Sequence, residues 1–417
     1  MSNLRDLTIS HIGNEGDGLA QTQDGIASIP FTLANETIRA EITEFKGHMH
    51  GKLVEILKSS SARVTPPCPM FGECGGCRLQ HMHDNAYRDW KRDAVNHLLE
   101  KNGFTTLVGS VFITPPASRR RVTFTAHKEA NKTKIGFHKR ESHELVNIDM
   151  CAVLKPQLAA LIKPLRNLLD AVLENNRHLS VHCTTLNGAI EIVLSGAAFN
   201  TEQIKQCISW GAEHQISRLF TCSEDSAEYS VLLDQTTFTG HYGEIEVTLP
   251  PAAFMQASDE AEAAMLSCIK PYFEKSKSIA DLFCGTGLFA LNLYRKQKSM
   301  LAVDVDGAAI SALQSATHNL RGFTTQRRNL FRDPLKAIEL KNADAVCLDP
   351  PRAGAKEQAS ELARSTIQTI AYVSCNPATF MRDARTLAQG GYKLKNIHVF
   401  DQFLWSHHIE LIGLFSR

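Results

Sequence analysis

Three sets of residues in this sequence have types and spacings that could do chemistry. The stretch CPMFGECGGCRLQH places Cys68, Cys74 and Cys77 within ten residues. Thiols that close together hold a metal, pair with each other or react. The segment ADLFCGTGLFAL reads as a strand, a glycine turn and a helix start, and Asp304 ends the next strand 23 positions beyond Asp281. Gly285 and Gly287 let the backbone approach a ligand, and an acidic residue at the second strand's end can accept two ribose hydroxyls, so a nucleoside cofactor is expected. The third set lies near the C-terminus. YVSCNPATF puts Cys375 just past a strand, at the sheet edge where ligands of open α/β folds bind. SHHIELIGLF puts Glu410 on an apolar segment, where burial raises a carboxyl pKa. A thiol nucleophile and a carboxylate base are the roles these types can fill.

Alternatives stay open at each set. Gly285, Gly287 and Ala290 also satisfy the dinucleotide-binding spelling, and such a turn can be purely structural. Asp281 before the turn and LDPPRAG at 348–354, which carries Asp349, favour S-adenosylmethionine. Arg352 follows the two prolines where amino-group methyltransferases carry an aromatic residue, which points away from an exocyclic amine as the target. A lone strand cysteine is often inert and buried, and a lone glutamate is often solvated.

These groups need a scaffold, and the composition bounds it. A chain of 417 residues, 43% hydrophobic and 21% charged, can bury two or three cores and is not disordered. Its net charge of +1 neither requires nor excludes nucleic acid, which needs only a local basic stripe. MSNLRDLTIS has no apolar signal core, and no apolar run suffices to span a bilayer, so a cytoplasmic protein without a membrane partner is expected. In that reducing setting eleven cysteines, an odd number, argue against a disulfide framework and for a metal at the clustered thiols.

Residues 1–60 alternate turn signals with short strands such as RAEITEF and KLVEIL, which predicts a small β-barrel. SSSARVTPP reads as a linker, and a helix is expected over 84–101. RRRVTFTAH, KIGFHKR, LSVHCTTL and AIEIVLSG predict further strands, with a helical stretch at KPQLAALIKPLRNLLDAVLENN. From Ser278 onward SIADLF, SMLAVDV, DAVCLD and TIAYVSC alternate with helical segments, the pattern of a parallel α/β sheet.

Taken in order, CPMFGECGGCRLQH, SRRRVTFTAH, PAAFMQAS, DLFCGTGLF, LDPPRAG, VSCNPATFMRD and DQFLWSHHIE resemble the S-adenosylmethionine-dependent uracil-C5 RNA methyltransferases over nearly the whole chain. The resemblance implies an α/β protein with a Rossmann-like methyltransferase domain at 251–417. It further implies an OB-like TRAM barrel at 1–60 that binds RNA and a central β-rich domain at 61–250 that binds an iron-sulfur cluster. It makes Cys375 the nucleophile on uracil C6 and Glu410 the base that removes the C5 proton. Gln256, Phe283, Leu288, Asp304, Asn329 and Asp349 fall on positions the family uses for the methyl donor, although Leu288 replaces an Asn found in some members. The fourth cluster ligand is matched by Cys151 in DMCAVL, beside Cys68, Cys74 and Cys77. Four thiolates suit a 4Fe-4S cluster or zinc equally by count, and the resemblance favours the cluster. Barrel and cysteines together resemble the 23S rRNA branch, with tRNA methylation and a non-catalytic RNA-binding protein as alternatives. A monomer is expected. Arg119, Arg120, Arg121, Lys128, Lys132, Lys134, His138, Lys139 and Arg140, with Phe124 and Phe137 interleaved, form the expected RNA-facing series, and the target uridine must be unpaired or flipped out to reach Cys375.

Overall fold

The computed structural model describes residues 4–223 and 228–417. The first sheet comprises β1 (Leu4–Thr8), β2 (His11–Ile12), β3 (Gly18–Thr22), β4 (Gly25–Ile29), β5 (Thr37–Phe45) and β6 (His48–Lys58), in the order β1-β5-β6-β4-β3-β2. Alternation along β5 turns Ile38, Ala40 and Ile42 inward against Ile9, Ala20, Ala27 and Ile29. The Ser10 N–H donates to the Leu19 carbonyl at 2.8 Å, so the chain leaving β1 reaches β3 and the sheet curls into a barrel.

The helix expected next is present as α1 (Asp84–Lys101), followed by β7 (Val108–Ile113). The central sheet then holds β8 (Arg121–Glu129), β9 (Lys132–His138), β10 (Leu145–Asn147), β11 (His178–Leu186), β12 (Ala189–Ser195), β13 (Arg218–Cys222) and β14 (Ser230–Asp234). Its inner face packs on α2 (Pro156–Ala160), α3 (Ile162–Val172) and α4 (Thr201–Glu213) through Phe124, Val181, Leu165 and Leu169. A short hairpin, β15 (Thr239–Tyr242) with β16 (Ile245–Thr248), leads out of this region.

The third sheet is built from β17 (Ser278–Leu282), β18 (Ser299–Asp304), β19 (Phe323–Arg327), β20 (Ala345–Leu348), β21 (Thr369–Ser374), β22 (Lys393–Asp401) and β23 (Glu410–Ser416). Around it lie α5 (Asp259–Tyr272), α6 (Leu288–Leu293), α7 (Gly307–Thr317), α8 (Lys356–Arg364) and α9 (Pro377–Gln389). All four residues of β20 are buried, as expected for a strand covered on both faces. The order is β19-β18-β17-β20-β21-β23-β22-β7, with β23 antiparallel to its neighbours.

One element departs from the sequence-based division. β7, expected with the central part, pairs in parallel with β22 at the edge of the third sheet, and α1 packs beside it through Val95 and Leu99. Side-chain alternation cannot tell which sheet a short strand joins; here register with Ile397–Asp401 decides it.

The barrel, the cysteine stretch, α1 and the C-terminal loop meet in one core of Leu33, Leu79, Tyr87 and Trp405. The N–H groups of Arg78 and Leu79 both donate to the Trp405 carbonyl, at 2.8 and 3.0 Å. From α1, the wholly buried Lys91 ammonium donates to the carbonyls of Ser406 (2.8 Å) and His408, with Asp401 Oδ1 at 3.4 Å. The Tyr87 hydroxyl donates to Asp401 Oδ2 at 2.5 Å. Loop 402–409, which leads into Glu410, is therefore held from the N-terminal half of the chain.

Candidate active site

The glycine turn after β17 is shaped for close approach. Gly285 has φ 53° and Gly287 φ 94°. A Cβ on Gly287 would meet Leu313 Cδ1 at 2.6 Å, whereas one on Gly285 would meet nothing within 4 Å, leaving room for a ligand over that peptide. Phe283 also takes a positive φ, 61°, a conformation that non-glycine residues seldom adopt away from functional turns. Asp281 is fully buried, its Oδ2 accepting the Ala290 N–H at 2.7 Å. Burial, reinforced by Asp349 and Asp304, holds its pKa far above the carboxylate range. At the end of β18, Asp304 accepts the N–H of Gly285 (2.8 Å) and of Asp306 (2.9 Å), one on each oxygen. Each oxygen keeps a lone pair for a ribose hydroxyl.

A cavity of about 1140 Å³ opens at this edge and is lined by Gln256, Phe283, Leu288, Asp304, Asp349, Cys375 and Glu410. Residues far apart in sequence are thus brought together. Asn329 is the exception: its Oδ1 accepts from the N–H of Phe331 (3.0 Å) and Arg332 (3.3 Å), so the side chain shapes a turn and does not line the cavity. That turn presents Phe331, which sequence reasoning missed. Its ring lies 5.4 Å from that of Phe283, and together they form an aromatic wall.

The carboxyls and the thiol are strongly perturbed. Burial and the nearby Asp349 push Glu410 up to about 8, opposed by the Gln402 amide, which donates to Glu410 Oε2 at 2.7 Å. Burial pushes Asp349 up to about 7, opposed by the Gln256 amide at 3.1 Å. Cys375 is pushed up to about 11 by burial and by both carboxyls, while Arg352 acts in the opposite direction. The resting site therefore favours neutral groups. Gln402 was also missed; nothing in the spelling DQF marks its amide as facing the base.

A second cavity, of about 520 Å³, contains Cys68, Cys74, Cys77 and Cys151 in its walls and shares Arg352, Cys375, Gln402 and Phe403 with the first. Cys375 sits where the two meet. The four thiols are free of disulfides, and burial pushes Cys77 up to about 12. Among the described residues no three His, Cys, Asp or Glu side chains are grouped closely enough to hold a single metal ion.

The expected RNA-facing series is broken up by the fold. Arg120 is buried and forks onto Asp259 and Glu262. Arg140 is bound to Asp17 of the barrel, and Lys139 pairs with Glu144 at 2.6 Å. Phe124 is fully buried in the central core and offers no stacking face. Arg119 instead lines the cysteine cavity, its guanidinium 5.3 Å from the Phe403 ring centre. Arg121 lies 4.5 Å from the ring of the exposed Phe254 at the mouth of the larger cavity.

A glycine cradle ending beside an acidic strand terminus, with thiol and carboxyl on the same cavity, defines a transferase that uses a nucleoside cofactor. Comparison with known proteins narrows the class. The family model "tRNA (Uracil-5-)-methyltransferase" matches residues 244–417. An RNA methyltransferase of Caulobacter vibrioides is 37% identical over 426 residues, covering 99% of this chain and 100% of that one. The 23S rRNA (uracil(1939)-C(5))-methyltransferase of Shewanella sediminis is 31% identical over 431 residues, covering 98% and 95%. In fold, the chain is similar to the Pyrococcus abyssi tRNA (uracil-54, C5)-methyltransferase crystallised with S-adenosyl-L-homocysteine, with TM-score 0.79, 20% identity and 99% coverage of both chains. The chain belongs to the S-adenosylmethionine-dependent uracil-C5 RNA methyltransferase family. RNA is its substrate class. Among the described residues no helix is long and apolar enough to cross a membrane.

Proposed function

We propose that this chain is a 23S rRNA (uracil-C5)-methyltransferase that forms 5-methyluridine through a covalent bond between Cys375 and uracil C6. The observation that carries the reading is the convergence of Cys375, Glu410, Asp349 and Asp304 on one cavity, in a chain alike over nearly its whole length to a 23S rRNA enzyme. Uracil C5 is a poor nucleophile. Addition of the Cys375 thiolate to C6 places an electron pair on C5. S-adenosylmethionine supplies the electrophilic methyl group that C5 attacks. Asp304 holds its ribose, Phe283 and Phe331 wall its base, the Leu288 backbone and Gln256 complete the contacts, and Asp349 faces both donor and uracil. Glu410 then takes the C5 proton, the C5–H pair forms the C5=C6 bond, and the C6–S bond breaks to return the thiolate.

Cys68, Cys74, Cys77 and Cys151 would hold a 4Fe-4S cluster, tying the cysteine stretch to the central sheet and orienting RNA. Four free thiols around one cavity support this reading. A lone zinc ion draws its sulfurs to about 2.3 Å from one centre, and the thiols are not grouped that tightly. The division is then a TRAM-like RNA-binding barrel at 1–60, a cluster-binding part at 61–250 that lends α1 and β7 to its neighbour, and a methyltransferase domain at 251–417. The enzyme acts as a cytoplasmic monomer on a loop with a flipped-out uridine.

The test is a 23S rRNA loop carrying 5-fluorouridine, incubated with S-adenosylmethionine. Fluorine at C5 blocks the proton removal, so wild type should give an adduct stable to denaturation. Cys375→Ala should give none while still binding the donor. Mass mapping in a deletion strain should show 5-methyluridine lost from 23S rRNA; loss from tRNA would move the reading to the tRNA branch.

A further inference from the structure

Between the two perturbed carboxyls lies a chain of side-chain amides whose direction is fixed by one backbone group. The Ala257 N–H, which can only donate, points at Gln402 Oε1 at 2.7 Å. Gln402 Nε2 must therefore face the other way, where its two hydrogens meet Glu410 Oε2 at 2.7 Å and Gln256 Oε1 at 2.9 Å. With its carbonyl occupied, Gln256 turns Nε2 toward Asp349 Oδ2 at 3.1 Å. Ala257 is itself anchored: its carbonyl accepts the Arg120 N–H at 2.9 Å, and Arg120 Nε donates to the Gln256 carbonyl at 2.9 Å. Gln402, Gln256 and Glu410 are 5%, 3% and 3% exposed, so water does not replace these bonds. Every hydrogen bond in the chain is donated toward a carboxyl and none comes back.

We infer that Gln402 is the positioning residue for Glu410: it pins Oε2, leaving Oε1 as the oxygen that takes the C5 proton, and it favours the ionised, accepting form of that carboxyl. The inference rests on the proposed role of Glu410 as the base. Gln402 acts only through Glu410 and, with both Nε2 hydrogens committed, has none left for the uracil. The charges facing Glu410 are Asp349, the Cys375 thiol and, beyond the thiol, Arg352. Asp349 works against ionisation and Gln402 for it. Proton removal converts C5–H into the C5=C6 bond as sulfur leaves C6. Loss of the Gln402 donor should slow that step alone.

The experiment uses the full chain in single turnover, with a 23S rRNA loop fragment and S-adenosylmethionine labelled in the methyl group. Two rates are followed across pH: label entering the covalent adduct, and methylated RNA leaving it. Gln402→Met, similar in volume but without donors, should leave adduct formation within about threefold. It should slow release on the order of tenfold or more, so that labelled adduct accumulates, and should move the pH midpoint of release upward. Gln402→Glu keeps the acceptor for Ala257 and loses the donors, so it should shift release in the same direction even if the Met variant folds poorly. Release and midpoint unchanged in both variants, or adduct formation and release falling by equal factors, would overturn the inference. Glu410→Gln run in parallel separates the two levels. If it accumulates adduct while the Gln402 variants release normally, Gln402 alone is misassigned; if it accumulates none, the base assignment fails and the inference with it.

Discussion

Asp401→Asn should destabilise the protein far more than its position beyond the reacting groups suggests. Asp401 and Lys91 are both completely buried; the ammonium also serves the carbonyls of Ser406 and His408, and the carboxylate takes the Tyr87 hydroxyl at 2.5 Å. The exchange keeps the shape but leaves a buried ammonium without its counter-charge, which costs about 3–5 kcal/mol. Lys91→Met orphans the two carbonyls instead, at about 1–3 kcal/mol each, and leaves the carboxylate unpaired. In the double variant neither charge is stranded, so it should lose at least ~2 kcal/mol less than the sum of the singles. Urea denaturation followed by tryptophan fluorescence is the assay, since Trp90 and Trp405 both belong to the core around this pair. The pH dependence has a definite sign. Burial lowers the Lys91 pKa and Asp401 raises it, so without Asp401 it falls further. A depressed lysine contributes stability above its unfolded pKa and loses it as pH falls, so the deficit of Asp401→Asn should shrink between about pH 7 and pH 10. Additive effects, each below about 1 kcal/mol, would show that loop 402–409 is not held by this pair.

Other consequences are open to direct measurement. Glu410 has its pKa raised to about 8, so its contribution to stability is complete below the ordinary carboxylate range and is lost as pH climbs through about 8. Glu410→Gln should therefore gain melting temperature relative to wild type between about pH 6 and pH 9, and a pH-independent difference would contradict the burial argument. Asp304→Ala should weaken S-adenosylhomocysteine binding by about 1–3 kcal/mol in calorimetry, and unchanged affinity would remove Asp304 from the ribose. Cys74→Ser should lower iron content and RNA binding while donor affinity persists; equal loss of all three would indicate unfolding.

Where local pattern and tertiary environment agree, the sequence was legible. The glycine turn at 285–287, the acidic end of β18 and the thiol just past β21 all follow from strand, turn and edge. Asn329 misleads because an Asx side chain serves a turn as readily as a ligand, and here it caps the residues beside Phe331. The basic series misleads because charge along a strand says nothing about acids arriving from elsewhere: Asp259 and Glu262 on α5 claim Arg120, and Asp17 claims Arg140. Lys91 was read only as part of a mixed-charge helix, since its partner stands 310 residues away. Gln402 escaped notice for the same reason: its function depends on an N–H 145 residues upstream.

The placement of β7 at the outer edge of the third sheet also sets a timetable. During synthesis β7 leaves the ribosome roughly 280 residues before β22, the strand it pairs with. At about 5–20 residues per second that is an interval of about 15–55 s. Throughout it the nascent chain carries a strand with one bare edge and, on α1, a lysine destined for a dry interior whose carboxylate has not been made. The barrel and central sheet can close early, but the catalytic sheet can close only when its last fifth emerges. Premature termination or slow translation near the 3′ end of the message should therefore yield chains with a folded front, an exposed β7 edge and a tendency to capture one another there.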